Sequence, residues 1–267
     1  MQQQLKLIKN LLETRKARRK EKLFVVEGVR MVEEAGERVK TFFYSENLPI
    51  VKKLEEQMSV GYKVSKKQLA EISQVETPQG IVAIVREQEY SLDDIFTVSP
   101  LTRGRCREAT EGVTGVVIVY CLGVQDPGNL GTIIRTADAF GASGVILSKG
   151  TVDLYNPKVV RATMGSLFHL PIVMAADDAE TIGQLKDKNV KIVTTDLKAS
   201  KTVAAGDYRG GVAFLVGNEG AGLPPEIVAQ GEAVKIPMPG NAESLNVAVS
   251  TAILLYEATR QREHGKD

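Results

Sequence analysis

Between Gly115 and Met238 the chain repeatedly spells a short apolar run: GVVIVYCL, GVIL, PIVM, KIVTT, GVAFLV and AVKIPM. A strand that is apolar at every position buries both of its faces. That is the signature of a parallel sheet lying between two layers of helices. Helical patterns such as NLGTIIRTADAFGA and NPKVVRATMGSLF fall between the runs. The pattern calls for an α/β fold, a mostly parallel sheet with helices on both faces.

The first part of the chain is written differently. FVVEGVRMVEEAG joins a short strand to an amphipathic helix, and GIVAIVRE reads as another strand. Between the halves lies SPLTRGRCREATEGVTG, rich in Pro, Gly and Thr and lacking a hydrophobic period, which reads as a linker. The expected organisation is a small α/β domain over residues 1–98, a linker over 99–113 and the parallel-sheet domain over 114–267. No internal repeat or low-complexity segment interrupts it.

Composition excludes several classes. Apolar residues make up 43% and charged residues 25% of the 267 positions, as in globular proteins. No apolar run approaches the roughly 18–20 residues that span a bilayer. The start, MQQQLKLIKN, lacks the apolar core of a secretion signal. Cys106 and Cys121 are too few for a disulfide framework, which suits a reducing cytoplasm. With a net charge of +1, any basic surface must be local. One such excess is KNLLETRKARRKEK, containing Arg18, Arg19 and Lys20; Arg103, Arg105 and Arg107 form another. Such runs are either solvated faces or phosphate contacts.

In open parallel sheets, ligands bind in loops beyond the carboxyl ends of the strands. Three such loops here are rich in Gly and Asn: LGVQDPGNLGTIIRTADAFGA, LVGNEGAGLP and IPMPGNAESLNVAVS. Gly123, Gly128 and Gly131 do not form G-x-G-x-x-G, and no G-x-x-x-x-G-K-[ST] follows a strand. The only histidines, His169 and His264, are far apart and have no Cys at ligand spacing, so no metal site is expected. His169, between Phe168 and Leu170, reads as a packed residue. Asn129 is a candidate N-cap. Arg135 sits in an otherwise apolar helix and must face solvent or an anion.

Taken together, NLGTIIRTADAFGASGVIL, LVGNEGAGL and IPMPGNAESLNVAVSTAILLYE resemble the three signature motifs of the SpoU/TrmH-type RNA ribose methyltransferases of the SPOUT superfamily. NPKVVRATMGSLFHLP resembles the family's segment between the first two motifs. KARRKEKLFVVEGVRMVEEA and ETPQGIVAIV resemble its substrate-binding domain, related to a ribosomal-protein fold. The resemblance implies a deep trefoil knot, with the C-terminal helix passing through a loop of the preceding chain. It implies S-adenosyl-L-methionine as cofactor, held by Thr195, Leu215, Val216, Gly217, Ile236, Met238, Ser244, Leu245 and Asn246. Catalysis falls to Arg135, with Asn129, Glu219, Ser244 and Asn246 completing the polar wall. Arg18, Arg19, Lys20, Lys158 and Arg161 become candidates for RNA contact. The implied reaction is methyl transfer to a ribose 2′-hydroxyl by a cytoplasmic homodimer. Ribosomal RNA is favoured over tRNA because of the added N-terminal domain. The alternatives are a tRNA ribose methyltransferase, methylation of a base nitrogen, and an RNA-binding relative without the activity.

Overall fold

The computed structural model describes residues 1–97 and 115–264. The linker expected at 99–113, with its three arginines and Cys106, lies outside the described residues. The chain divides into two compact units, one comprising Met1–Gln88 with Asp153–Phe168, the other Glu89–Val152 with His169–Asp267. Spatial contacts thus assign Asp153–Phe168 to the first unit, although in sequence it falls within the expected second domain.

The first unit begins with α1 (Gln2–Glu13) and α2 (Arg15–Glu21). β1 (Leu23–Glu27), α3 (Val29–Ala35), β2 (Val39–Tyr44), α4 (Pro49–Glu56), β3 (Val60–Lys63), α5 (Lys66–Ala70) and β4 (Ile81–Arg86) follow. Its four-stranded sheet has the order β1-β4-β2-β3, antiparallel except for the β2–β3 pair. Ile8 and Leu11 of α1 pack with Leu23, Val25, Phe43, Val82 and Ile84 into one apolar cluster.

The second unit contains α6 (Leu92–Thr97), β5 (Val117–Cys121), α7 (Pro127–Ala139) and β6 (Gly144–Leu147). Here the chain makes its excursion through α8 (Pro157–Ala162), which packs on β1 in the first unit. It returns as β7 (Ile172–Met174), α9 (Asp178–Asp187), β8 (Lys191–Thr195), β9 (Lys201–Thr202), β10 (Val212–Val216), α10 (Pro225–Val228), β11 (Glu232–Lys235) and α11 (Val247–His264). The seven strands run β7-β6-β5-β10-β8-β11-β9, every pair parallel. Every residue of β5 and β10 is buried, as continuous apolar runs require.

Local chemistry explains why α7 begins where it does. Asp126 accepts the Asn129 backbone amide at 2.8 Å, and Pro127 fills the first helical position, where its missing N–H costs nothing. Asp126 is therefore the cap, in place of the expected Asn129, which sits one turn inside the helix. Leu130, Ile133, Ile134 and Ala137 recur at helical spacing and are all fully buried. Each of the larger three stabilises by about 1.5–3 kcal/mol.

Arg18 departs from its expected role. Its Nε and Nη2 donate to Asp153 Oδ2 at 2.9 and 2.6 Å, and Nη1 donates to the Leu11 carbonyl at 2.5 Å. Only 4% of the residue is exposed. The guanidinium satisfies a carbonyl at the end of α1 and pairs with the start of the 153–168 segment. It is a structural anchor and is unavailable to phosphate. Arg19 and Lys20 are exposed, as is Lys158 on α8. Arg161 of α8 donates to the Gln74 carbonyl at 2.7 Å, which ties α8 to the loop before β4.

Arg18→Gln should lower the unfolding free energy by about 1.5–3 kcal/mol, because it removes the short charged hydrogen bonds to Asp153, which keeps only Arg15 Nε at 3.9 Å among the described residues. Arg19→Gln should change it by less than about 0.5 kcal/mol. Urea denaturation of the two variants checks this, and equal small effects would remove Arg18 as an anchor.

Candidate active site

From β5 the chain moves to β6 and β7 on one side of the sheet, then returns to β8 on the other. Adjacent strands β5 and β10 flank the point where the winding reverses, and ligands of such sheets bind beyond the carboxyl ends there. A cavity of ≈ 790 Å³ opens on the β10 side of this point, among the segments that follow β8, β10 and β11. Thr195, Val216, Gly217, Ile236, Met238, Ser244, Leu245 and Asn246 all line it. Leu215, expected with them, is fully buried in the apolar core of β10 and does not line the cavity. Alternation along the strand turns its side chain away from where Val216 points.

The loop after β10 closes on itself. Asn218 and Gly222 exchange backbone hydrogen bonds at 3.1 and 2.9 Å, with Gly222 at φ +68°. A Cβ on Gly217 would lie 2.3 Å from the Gly222 carbonyl carbon and oxygen, so no side chain fits there. The Asn218 side-chain oxygen accepts the amides of Gly220 and Ala221 at 2.9 and 3.0 Å, fixing the tip. Glu219 projects from that tip.

Three loops meet through two asparagines. Asn246 caps α11: its Oδ1 accepts the Ala248 amide at 2.9 Å. Its Nδ2 donates to Asn129 Oδ1 at 2.8 Å, and Asn129 Nδ2 donates to Glu219 Oε1 at 3.0 Å. Glu219 also accepts the backbone amides of Asp126 at 3.1 Å and Gln125 at 3.2 Å. Partial burial works to raise the Glu219 pKa. The hydrogen bonds from Asn129 and these amides outweigh it and hold the carboxyl below its ordinary value. A carboxyl lowered on folding contributes stability above its unfolded pKa, lost as pH falls through the lowered one. The junction is therefore ionised at neutral and mildly acidic pH.

Arg135 is exposed on α7 and makes no hydrogen bond or ion pair among the described residues. Its guanidinium is free for an anion. His169 is engaged by Asp138, Nδ1 to Oδ2 at 2.7 Å. Two residues escape a sequence reading. The Asp-Pro pair at 126–127 is a helix-start signal that favours Asp126 over Asn129. Asn218 lies in a turn-rich run, but its cross-loop contact leaves no local trace.

The SpoU rRNA Methylase family matches residues 116–256, and the MRM3-like substrate binding domain matches residues 2–83. The 23S rRNA (guanosine(2553)-2′-O)-methyltransferase RlmP of Bacillus subtilis is 34% identical over 249 residues, covering 92% of each chain. The chain belongs to the SpoU rRNA methylase family. Solved SpoU relatives agree across nearly the full length. The methyltransferase AviRb from Streptomyces viridochromogenes, in complex with the cofactor AdoMet, superposes with a TM-score of 0.83 at 31% identity, covering 97% of this chain and 98% of that one. An AdoMet-bound rRNA methyltransferase from Sinorhizobium meliloti gives 0.81 at 34%, covering 96% and 94%. In this SpoU chain no helix among the described residues is long and apolar enough to cross a membrane.

Gly217→Ala should weaken binding of S-adenosylmethionine by roughly tenfold or more, since the backbone of Gly222 must move to admit the methyl. Titration calorimetry measures it, and unchanged affinity would mean that the loop does not shape the cavity.

Proposed function

We propose that this chain methylates a ribose 2′-hydroxyl of ribosomal RNA, using S-adenosylmethionine, in the cytoplasm. The observation that carries the reading is the junction of Asn246, Asn129 and Glu219, in which two residues that line the cavity, Glu219 and Asn246, are joined through Asn129 of α7. The cavity fits the cofactor: Gly217 leaves a cradle that a Cβ would fill, and Val216, Ile236 and Met238 offer apolar wall beside the polar Ser244 and Asn246. When bound, S-adenosylmethionine supplies an electrophilic methyl carbon. The family's trefoil knot belongs to the same proposal, with the packing of α11 against α7 and β10 as its support.

The chain's own groups position the acceptor and stabilise its charge. A guanidinium stays protonated in proteins, so Arg135 fixes a neighbouring phosphate and stabilises developing alkoxide charge. Glu219 makes a poor base, because both its oxygens already accept hydrogen bonds and its pKa is lowered. The hydroxyl proton leaves to a phosphate oxygen or water. Asn129 has used its oxygen and one amide hydrogen; the second is left for the ribose. No metal is assigned a part in this scheme. The whole-length likeness to proteins named as rRNA methyltransferases, N-terminal unit included, supports ribosomal RNA.

A homodimer belongs to the proposal as well. Val249 and Tyr256 of α11 are 48% and 57% exposed, and Tyr256 packs edge-on against Phe140. Exposed apolar side chains on the helix beside α7 mark a surface for a second copy. Sedimentation should give a dimer for the native chain and a monomer for Tyr256→Glu; a monomeric native chain would contradict it.

Tritiated S-adenosylmethionine and transcribed 23S rRNA test the reaction. Label should appear in a 2′-O-methylnucleoside. Label in a base, or none, would instead support the alternatives of base methylation or an RNA-binding relative. Arg135→Ala should lower turnover by about a hundredfold or more with cofactor affinity within a few-fold, and Arg135→Lys should also fail, because a point charge does not reproduce a planar fork. Near-normal turnover by Arg135→Ala would remove it from the mechanism. Neutralising Arg19 and Lys20 together should flatten the salt dependence of RNA affinity by roughly 0.7–0.9 per lost phosphate contact. An unchanged slope would make them a solvated face.

A further inference from the structure

Beyond Leu122, whose amide donates to the Val216 carbonyl at 2.8 Å, the backbones of the β5 and β10 segments stop pairing. The next link between them is a side chain. Asn218 Nδ2 donates to the Gly123 carbonyl at 3.0 Å, while Asn218 Oδ1 accepts the amides of Gly220 and Ala221. One amide group thus does two separable jobs. Its oxygen shapes the loop that lines the cavity, and its nitrogen ties that loop to the turn feeding α7.

The turn is held on its other side too. The Gly123 amide donates to Ser148 Oγ at 2.9 Å, and the Val152 amide donates to the Val124 carbonyl at 2.9 Å. With φ at +72°, Gly123 takes a conformation that leaves its carbonyl facing Asn218. Three residues further on, Asp126 caps the helix that carries Asn129 and Arg135.

We infer that Asn218 is a positioning residue: its Nδ2 contact with Gly123, beside the Glu219 contacts with Gln125, Asp126 and Asn129, sets α7, and with it Arg135, relative to the cofactor cavity. The inference rests on the methyltransferase reading above. It separates the two halves of the amide in consequence. The oxygen governs cofactor binding, and the nitrogen governs the chemical step.

Two substitutions take the halves apart. Asn218→Asp keeps the acceptor for Gly220 and Ala221 but replaces the donor facing Gly123 with a second oxygen. Asn218→Ser also keeps a turn-forming acceptor, is too short to reach Gly123, and adds no charge beside Glu219. The folded chain is confirmed by thermal melting, S-adenosylmethionine affinity is measured by calorimetry, and turnover is measured on transcribed 23S rRNA. Both variants should bind S-adenosylmethionine within about threefold of the native chain while kcat falls by about tenfold, the loss of one oriented hydrogen bond. Asn218→Ala, lacking both halves, should lose affinity and kcat together. If kcat in both Asp and Ser variants stays within about twofold, or if affinity and kcat fall in parallel in both, the inference is overturned. Absence of methyl transfer by the native chain would instead refute the underlying reading, so the two failures are distinguishable.

Discussion

Asn129 is shared between the loop after β10 and the loop that starts α11. Its oxygen receives Asn246 and its nitrogen serves Glu219, so the amide has a defined orientation and the three loops a defined spacing. Each of these hydrogen bonds is solvent-accessible, and the net worth of one is about 0.5–1.5 kcal/mol. That is small beside the apolar burial of β5, β10 and α7. The junction therefore contributes little to folding. Its effect is geometric, since a chain of oriented amides and one carboxylate limits where each loop can move.

The sheet makes such a junction possible. Neighbouring parallel strands β10, β8 and β11 direct their following segments to the cavity, and β5, next to β10, brings α7 alongside. Fully buried strands fix those loop origins rigidly. What remains soft is the loop path, and glycine and asparagine control it. Gly217 lets the chain return across itself; Asn218 and Asn246 convert turns into fixed amide arrays. Arg135 stands apart as an exposed cation without a partner of its own among the described residues. A site that satisfies its one carboxylate with amides and keeps one guanidinium uncommitted suits a polyanionic substrate whose charge arrives with it.

Much of this was legible in the sequence. Continuous apolar runs specify the parallel sheet because burial of both faces is a local property of each strand. The three loops are legible for the same reason: turn residues are local signals. Two of the misreadings involve partners distant along the chain. RKARRK reads as one basic face, yet Arg18 is buried by Asp153, 135 residues away. Asp153–Phe168 looks like part of the second domain, and nothing local says that it packs with the first unit. Leu215 and Val216 are both apolar and adjacent, and only the strand's alternation decides which one faces the cavity. Asn129 reads as a helix cap, yet Asp126, three residues earlier, does that work and frees Asn129 for the junction.

The central claim is that Asn129 and Asn246 act as one unit in building the site. A double-mutant cycle measures this most directly, with Asn129→Ala, Asn246→Ala and the pair assayed for kcat/KM on transcribed 23S rRNA. The account predicts that the double variant is scarcely worse than the more damaging single one, a coupling on the order of 1–3 kcal/mol. Strictly additive losses, with coupling below about 0.3 kcal/mol, would mean that the two side chains act independently and that the junction does not organise the loops.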